Sequence, residues 1–112
     1  MQTPAGDELQ YTFVQDFRIA SMFGEGAVRD TFTKVWEEWK GEYTAVAEIA
    51  IATNWESWRF YHLADSVAED DPMREIYSKM CELYANLYQQ VDEYAHTELS
   101  QEEFDYYFQM TD

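Results

Sequence analysis

Apolar side chains recur at helical spacing through most of the chain. Phe13, Phe17 and Ala20 share one face at intervals of four and three, with Phe23 close by, which predicts an amphipathic helix from Thr12. Gly24 and Gly26 break that run, as glycine does just beyond a helix end. A second helix is predicted from about Ala27 to Lys40, where Val28, Phe32, Val35, Trp36 and Trp39 form a stripe, and Gly41 ends or kinks it. The third runs from about Tyr43 to Asp65 and contains Val46, Ala47, Ala50, Trp55, Trp58 and Tyr61. Its first half, Ala45 to Ala52, is apolar apart from Glu48, so this helix is expected at the centre, buried on most sides.

Two helix starts carry explicit stop-and-start chemistry. Asp71-Pro72 places a capping carboxylate before a proline suited to the first helical position. The fourth helix follows, with Met73, Tyr77, Met80, Tyr84, Leu87, Val91 and Tyr94 at alternating steps of four and three. Ile76, Leu83, Tyr88 and Ala95 widen that stripe beyond a coiled-coil seam. Ser100 to Glu103 reads as a capping box, flanked by Leu99 and Phe104 in the two staple positions. A short fifth helix, about Gln101 to Gln109, is expected to dock Phe104, Tyr107 and Phe108. Residues 1–11, with Pro4 and Gly6 and little periodicity, read as a loose N-terminal arm. The expectation is an all-α protein: one compact bundle of about five helices over residues 12–112.

Composition supports a packed core, since 46% of the 112 residues are hydrophobic and 18% aromatic. No apolar run reaches the ~18 residues of a membrane span, and no signal peptide is recognisable at the start. A single cysteine, Cys81, can make no internal disulfide. The chain is therefore read as a soluble protein of a reducing cytoplasm.

Charge changes the picture most. Seven Lys and Arg face 23 Asp and Glu, for a formal net charge of -16. Direct binding to nucleic acid or anionic lipid is disfavoured, because phosphate contacts need cations, and basic partners are favoured instead. The acids are unevenly placed. No Lys or Arg follows Lys79, whereas the last third holds Glu82, Asp92, Glu93, Glu98, Glu102, Glu103, Asp105 and Asp112. A second cluster, Asp65, Glu69, Asp70 and Asp71, fills the turn before the fourth helix. Averaged over roughly 6,500 Å² of surface, this is far sparser than duplex DNA, with its charge every ~1.7 Å of axis. Only local concentration could imitate a polynucleotide, and Asn86, Gln89 and Gln90 interrupt the acids of the fourth helix.

Catalytic chemistry is poorly represented. Glu93 and His96 have the Glu-x-x-His spacing of di-iron bundles, but the second such motif is missing, because Arg59 precedes His62 by three. No metal and no cofactor are expected. Cys81 lies among acids that oppose thiolate formation, and Gly24-Glu25-Gly26 lacks the lysine of a phosphate loop. The reading is a binding protein rather than an enzyme. The paired tryptophans Trp36/Trp39 and Trp55/Trp58 are taken as core, while some of the nine tyrosines, Tyr106 among them, should reach the surface beside carboxylates.

Several stretches carry a resemblance: Phe13 to Ala20 (FVQDFRIA), Phe23-Gly24, Asp30 to Phe32, Trp36 to Lys40 (WEEWK), Asn54 to Trp58 (NWESW) and the ending Phe104 to Asp112 (FDYYFQMTD). Together they resemble small acidic helical proteins carried by phages and conjugative elements of Gram-positive bacteria. The match spans much of residues 13–61 and the ending, and it consists of packing residues. Gln109 stands where those proteins carry a lysine. Small acidic proteins of such elements often inhibit host defence nucleases, CRISPR effectors included. The resemblance thus implies an anti-CRISPR or anti-restriction inhibitor in the host cytoplasm that occupies a basic nucleic-acid groove. Its expected partner-binding residues are Glu82, Asp92, Glu93, Glu98, Glu102, Glu103, Asp105, Tyr106 and Asp112. The alternative is a structural or regulatory module of the element that forms a homodimer through an apolar face; a small metalloenzyme around Glu93 and His96 is a third.

Overall fold

Local backbone chemistry sets three of the helix starts, at Gly24, Asp71 and Ser100. The computed structural model describes the backbone of residues 4–109 and the side-chain surroundings of residues 9–108. Five helices follow in order: α1 Pro4–Ser21, α2 Glu25–Trp39, α3 Tyr43–Ser66, α4 Pro72–Glu98 and α5 Gln101–Gln109. The helical order and the all-α class match the sequence pattern. One start differs: the stretch expected as a loose arm is helical from Pro4. Proline suits a first helical turn, and Leu9 packs against the core, which extends the Phe13–Phe17 face back by one turn. Phe23 leaves the apolar face altogether; it sits past the end of α1 and is 78% exposed.

The turn from α1 into α2 requires Gly24, whose φ of 112° lies in the left-handed region that L side chains avoid. Asp71 caps α4, its carboxylate accepting from the Met73 amide at 2.8 Å, with Pro72 at the first position. The capping box of α5 is reciprocal: the Ser100 amide donates to Glu103 Oε1 at 3.1 Å, and the Glu103 amide to Ser100 Oγ at 3.2 Å.

The centre is α3. Ala45, Val46, Ala47, Glu48 and Ile49 are wholly enclosed, so this stretch is surrounded as its composition predicts. α3 and α4 form a long helical hairpin, α1 lies along α3, and α2 leans chiefly on α1. The result is an elongated bundle of 46 × 25 × 23 Å. Aromatic rings knit it together: Phe17 meets Tyr84 edge-on at 5.8 Å, Tyr84 stacks on Phe60 at 5.9 Å, and Trp36 meets Tyr94 at 4.8 Å. Such pairs add about 0.5–1.5 kcal/mol each beyond area burial. Among the described residues no helix is long and apolar enough to cross a membrane.

Candidate functional site

The residues expected to bind a partner lie on the outer sides of α4 and α5. The core face of α4, through Met80, Leu83, Tyr84, Leu87, Val91 and Ala95, turns Glu82 and Glu93 to solvent. Eleven residues separate them, which brings them back to nearly the same angle on the helix, about 16 Å apart along its axis. Asp92 is half-buried, and Glu98 is exposed in the last turn.

α5 is fastened by its apolar side. Phe104 stacks on His96 with centroids 4.2 Å apart and on Phe108 at 4.4 Å, while Tyr107 meets Tyr43 at 5.7 Å. The expected docking of Phe104, Tyr107 and Phe108 is therefore present. Helical periodicity then sends Glu102, Glu103 and Tyr106 outward, with Asp105 at the margin and Tyr106 61% exposed. Asp112 lies outside the described residues.

The ion pairs decide how much of this charge is compensated. Arg18 and Arg59 both bind Glu56, at 2.8 and 2.6 Å. Arg29 faces Glu25, Lys40 faces Glu37 and Lys79 faces Glu75, and Arg74 donates to the Val67 carbonyl. Among the described residues, no Lys or Arg reaches Glu82, Asp92, Glu93, Glu98, Glu102, Glu103 or Asp105. Their neighbours are weaker donors: Gln89 to Glu93, Gln101 to Asp105, and His96 beside Asp92 at 3.5 Å. Over the whole surface, 7006 Å² divided among 16 net charges leaves about 440 Å² each, so the density is local. It falls in two groups, one on α5 and one along α4, the latter interrupted between Glu82 and Asp92 by the neutral Asn86, Gln89 and Gln90.

The interior holds a second ionic feature. Glu56 is fully enclosed, and its two oxygens take one guanidinium each, from α1 and from the next turn of α3. Close by, the Tyr84 hydroxyl approaches the Phe17 carbonyl at 2.9 Å and Ser21 Oγ at 2.6 Å. Burial raises the Tyr84 pKa well above the usual tyrosine range; the Ser21 hydrogen bond and Arg59 oppose that shift, and Glu56 adds to it. This network joins α1, α3 and α4 and is remote in sequence from the acidic third.

A further expectation is overturned. Trp36 and Trp39 do pack against the core, but Trp55 and Trp58 do not belong to it; they are 50% and 55% exposed. The buried side of α3 is set by Ala52, Thr53, Glu56, Phe60 and Ala64, which rotates Trp55 and Trp58 outward. With Tyr61 and His62 they form a surface ridge. Trp58 meets Tyr61 at 5.6 Å and stacks on His62 at 6.1 Å. Composition alone places tryptophans in a core; the ridge is exposed because α1 and α4 cover the other side of α3.

Two open grooves flank α2. The larger, about 490 Å³ between α1 and α2, is floored by Phe13, Ala20, Val35 and Trp39. Among the described residues no three His, Cys, Asp or Glu side chains gather as a metal site would need. Glu93 and His96 engage Gln89 and Asp92 rather than each other, and Cys81 is half-buried with Sγ 3.6 Å from Ser57 Oγ. Compared with protein-family models, curated proteins and solved structures, the chain matches none of them.

Proposed function

We propose that this chain is an acidic inhibitor, of the kind carried by mobile elements, that docks on a basic nucleic-acid-binding protein of the host's defence and occupies the path of the polynucleotide. The observation that supports this reading is the division of charge. Six of the seven cations, all but Lys34, are engaged with Glu56, Glu25, Glu37 and Glu75, or with a backbone carbonyl, while the acids of α5 and outer α4 have no Lys or Arg against them among the described residues. Such carboxylates attract a basic groove at long range, and Tyr106 adds an aromatic contact among them. A groove that has lost access to its nucleic acid is inhibited without any chemistry on the inhibitor.

The test is capture from host lysate at low and high salt, with and without Glu102→Lys, Glu103→Lys and Asp105→Lys combined. Capture of a nucleic-acid-binding complex at low salt only, lost in the triple variant while the helical content stays intact, is the expected result. Unchanged capture by the triple variant overturns it. A salt-insensitive dimer in sedimentation, with no captured partner, replaces it by the homo-oligomeric reading.

A further inference from the structure

Among the described residues nothing covers the ridge on α3, and it is too aromatic for an ordinary solvated face. Trp55, Trp58, Tyr61 and His62 are all exposed, the first three by about half of each residue. A contiguous patch of this kind on a small protein marks an interaction surface. Its surroundings specify what it suits. Trp55, Trp58, His62 and Asp65 stand at i, i+3, i+7 and i+10, one line along the helix, about 15 Å long. Beyond Asp65 the chain enters the turn with exposed Glu69 and Asp70, and Asp71 caps α4. Two cations lie near this line. Arg59 is held on Glu56 and lies over the Phe60 ring at 4.4 Å, and Arg74 is bonded to the Val67 carbonyl. Neither reaches Asp65, Glu69 or Asp70.

We infer that this ridge and the adjoining acidic turn bind an arginine-bearing segment of a protein partner. Guanidinium groups stack on the faces of Trp55, Trp58 and Tyr61, and neighbouring arginines pair with Asp65, Glu69 and Asp70. Flat, weakly hydrated guanidinium suits a Trp face better than the compact, strongly hydrated ammonium of lysine. A line of about 15 Å accommodates four to five residues of extended peptide, at about 3.3 Å each. Stacked nucleic-acid bases would use the same rings, but the carboxylates repel their phosphates. A second copy would bring one net charge of -16 against another. The inference deepens the proposed function and rests on its cationic partner, naming a second anchor well separated in sequence from α5.

The experiment titrates the full chain with a peptide of about eight arginines and with a lysine peptide of equal length, reading tryptophan fluorescence and the anisotropy of labelled peptide. The arginine peptide is expected to bind about fivefold more tightly, a ratio that falls below about twofold in Trp55→Ala/Trp58→Ala. Trp58→Leu, which keeps apolar bulk but removes the π face, is expected to lower the ratio as well. Equal affinity of the two peptides, or a ratio intact in both tryptophan variants, overturns the inference. So does an oligothymidylate that quenches the tryptophans as strongly as the arginine peptide, or a wild-type dimer that Trp58→Leu dissociates. The α5 triple variant separates the two proposals: failure of the inhibitor reading shows as unchanged capture by that variant, whereas failure here shows in the peptide ratio, which α5 leaves alone.

Discussion

Glu56 is completely enclosed, whereas the guanidinium groups of Arg18 and Arg59 on either side of it keep 51% and 34% of their side chains in water. That asymmetry tempers the cost of the ion pairs, because only one partner is fully desolvated. It also means that Glu56→Gln strands no fully buried cation. The variant is expected to lose about 1–3 kcal/mol in urea unfolding, through hydrogen bonds to charged groups. Tyr84 makes a sharper test. Its folded-state pKa is raised by burial above the unfolded value, so the stability this contributes is complete below about pH 10 and drains away as pH climbs towards the folded pKa. Between pH 10 and 11 the wild type should lose about 1 kcal/mol more than Tyr84→Phe, the slope steepening towards about 1.4 kcal/mol per pH unit above that, measured by urea unfolding of both proteins across that range. Parallel pH curves would remove Tyr84 from the balance.

At the scale of elements, α5 is the piece most dependent on a local device. It has nine residues, too few to persist alone, and is held by its capping box and the Phe104 and Tyr107 contacts. Ser100→Ala should cost about 1 kcal/mol and appear first as faster amide exchange in α5, with α3 and α4 protected as before. The prediction fails if exchange accelerates equally everywhere. Gly24→Ala acts on another joint. Open space surrounds Gly24, but its φ of 112° does not suit a Cβ, so a loss of about 1–2 kcal/mol is expected from backbone strain alone.

For the whole molecule, a net charge of -16 on a surface of 7006 Å² opposes compaction. Added salt screens that self-repulsion, so the melting temperature should rise between about 10 mM and 300 mM sodium chloride. Binding to a basic partner should weaken over the same range. The opposite signs make a single salt series diagnostic: if both fall together, loss of fold rather than screening explains the loss of binding.

How much of this was legible in sequence depended on the range of the interaction that decides it. Asp71-Pro72 and Ser100–Glu103 announce helix starts because capping involves atoms within three residues, and the stretch from Ala45 to Ala52, apolar apart from Glu48, announces a central helix because burial on most sides leaves no polar stripe. The outward position of Glu102, Glu103 and Tyr106 follows from Phe104 and Tyr107 by periodicity alone. Other features are joint products of several helices. Leu9 gains its packing only when α1 meets the rest of the core, which carries the helix back through Gly6 against local preference. Arg18 and Glu56, thirty-eight residues apart, meet only in the folded bundle, and so Arg18 could not be assigned beforehand to Glu56 rather than to the acidic third. Trp55 and Trp58 fit a core stripe in composition, but which side of α3 is covered depends on where α1 and α4 lie. An exposed aromatic ridge is therefore a property of helix packing, a relation between distant segments that no local spacing encodes.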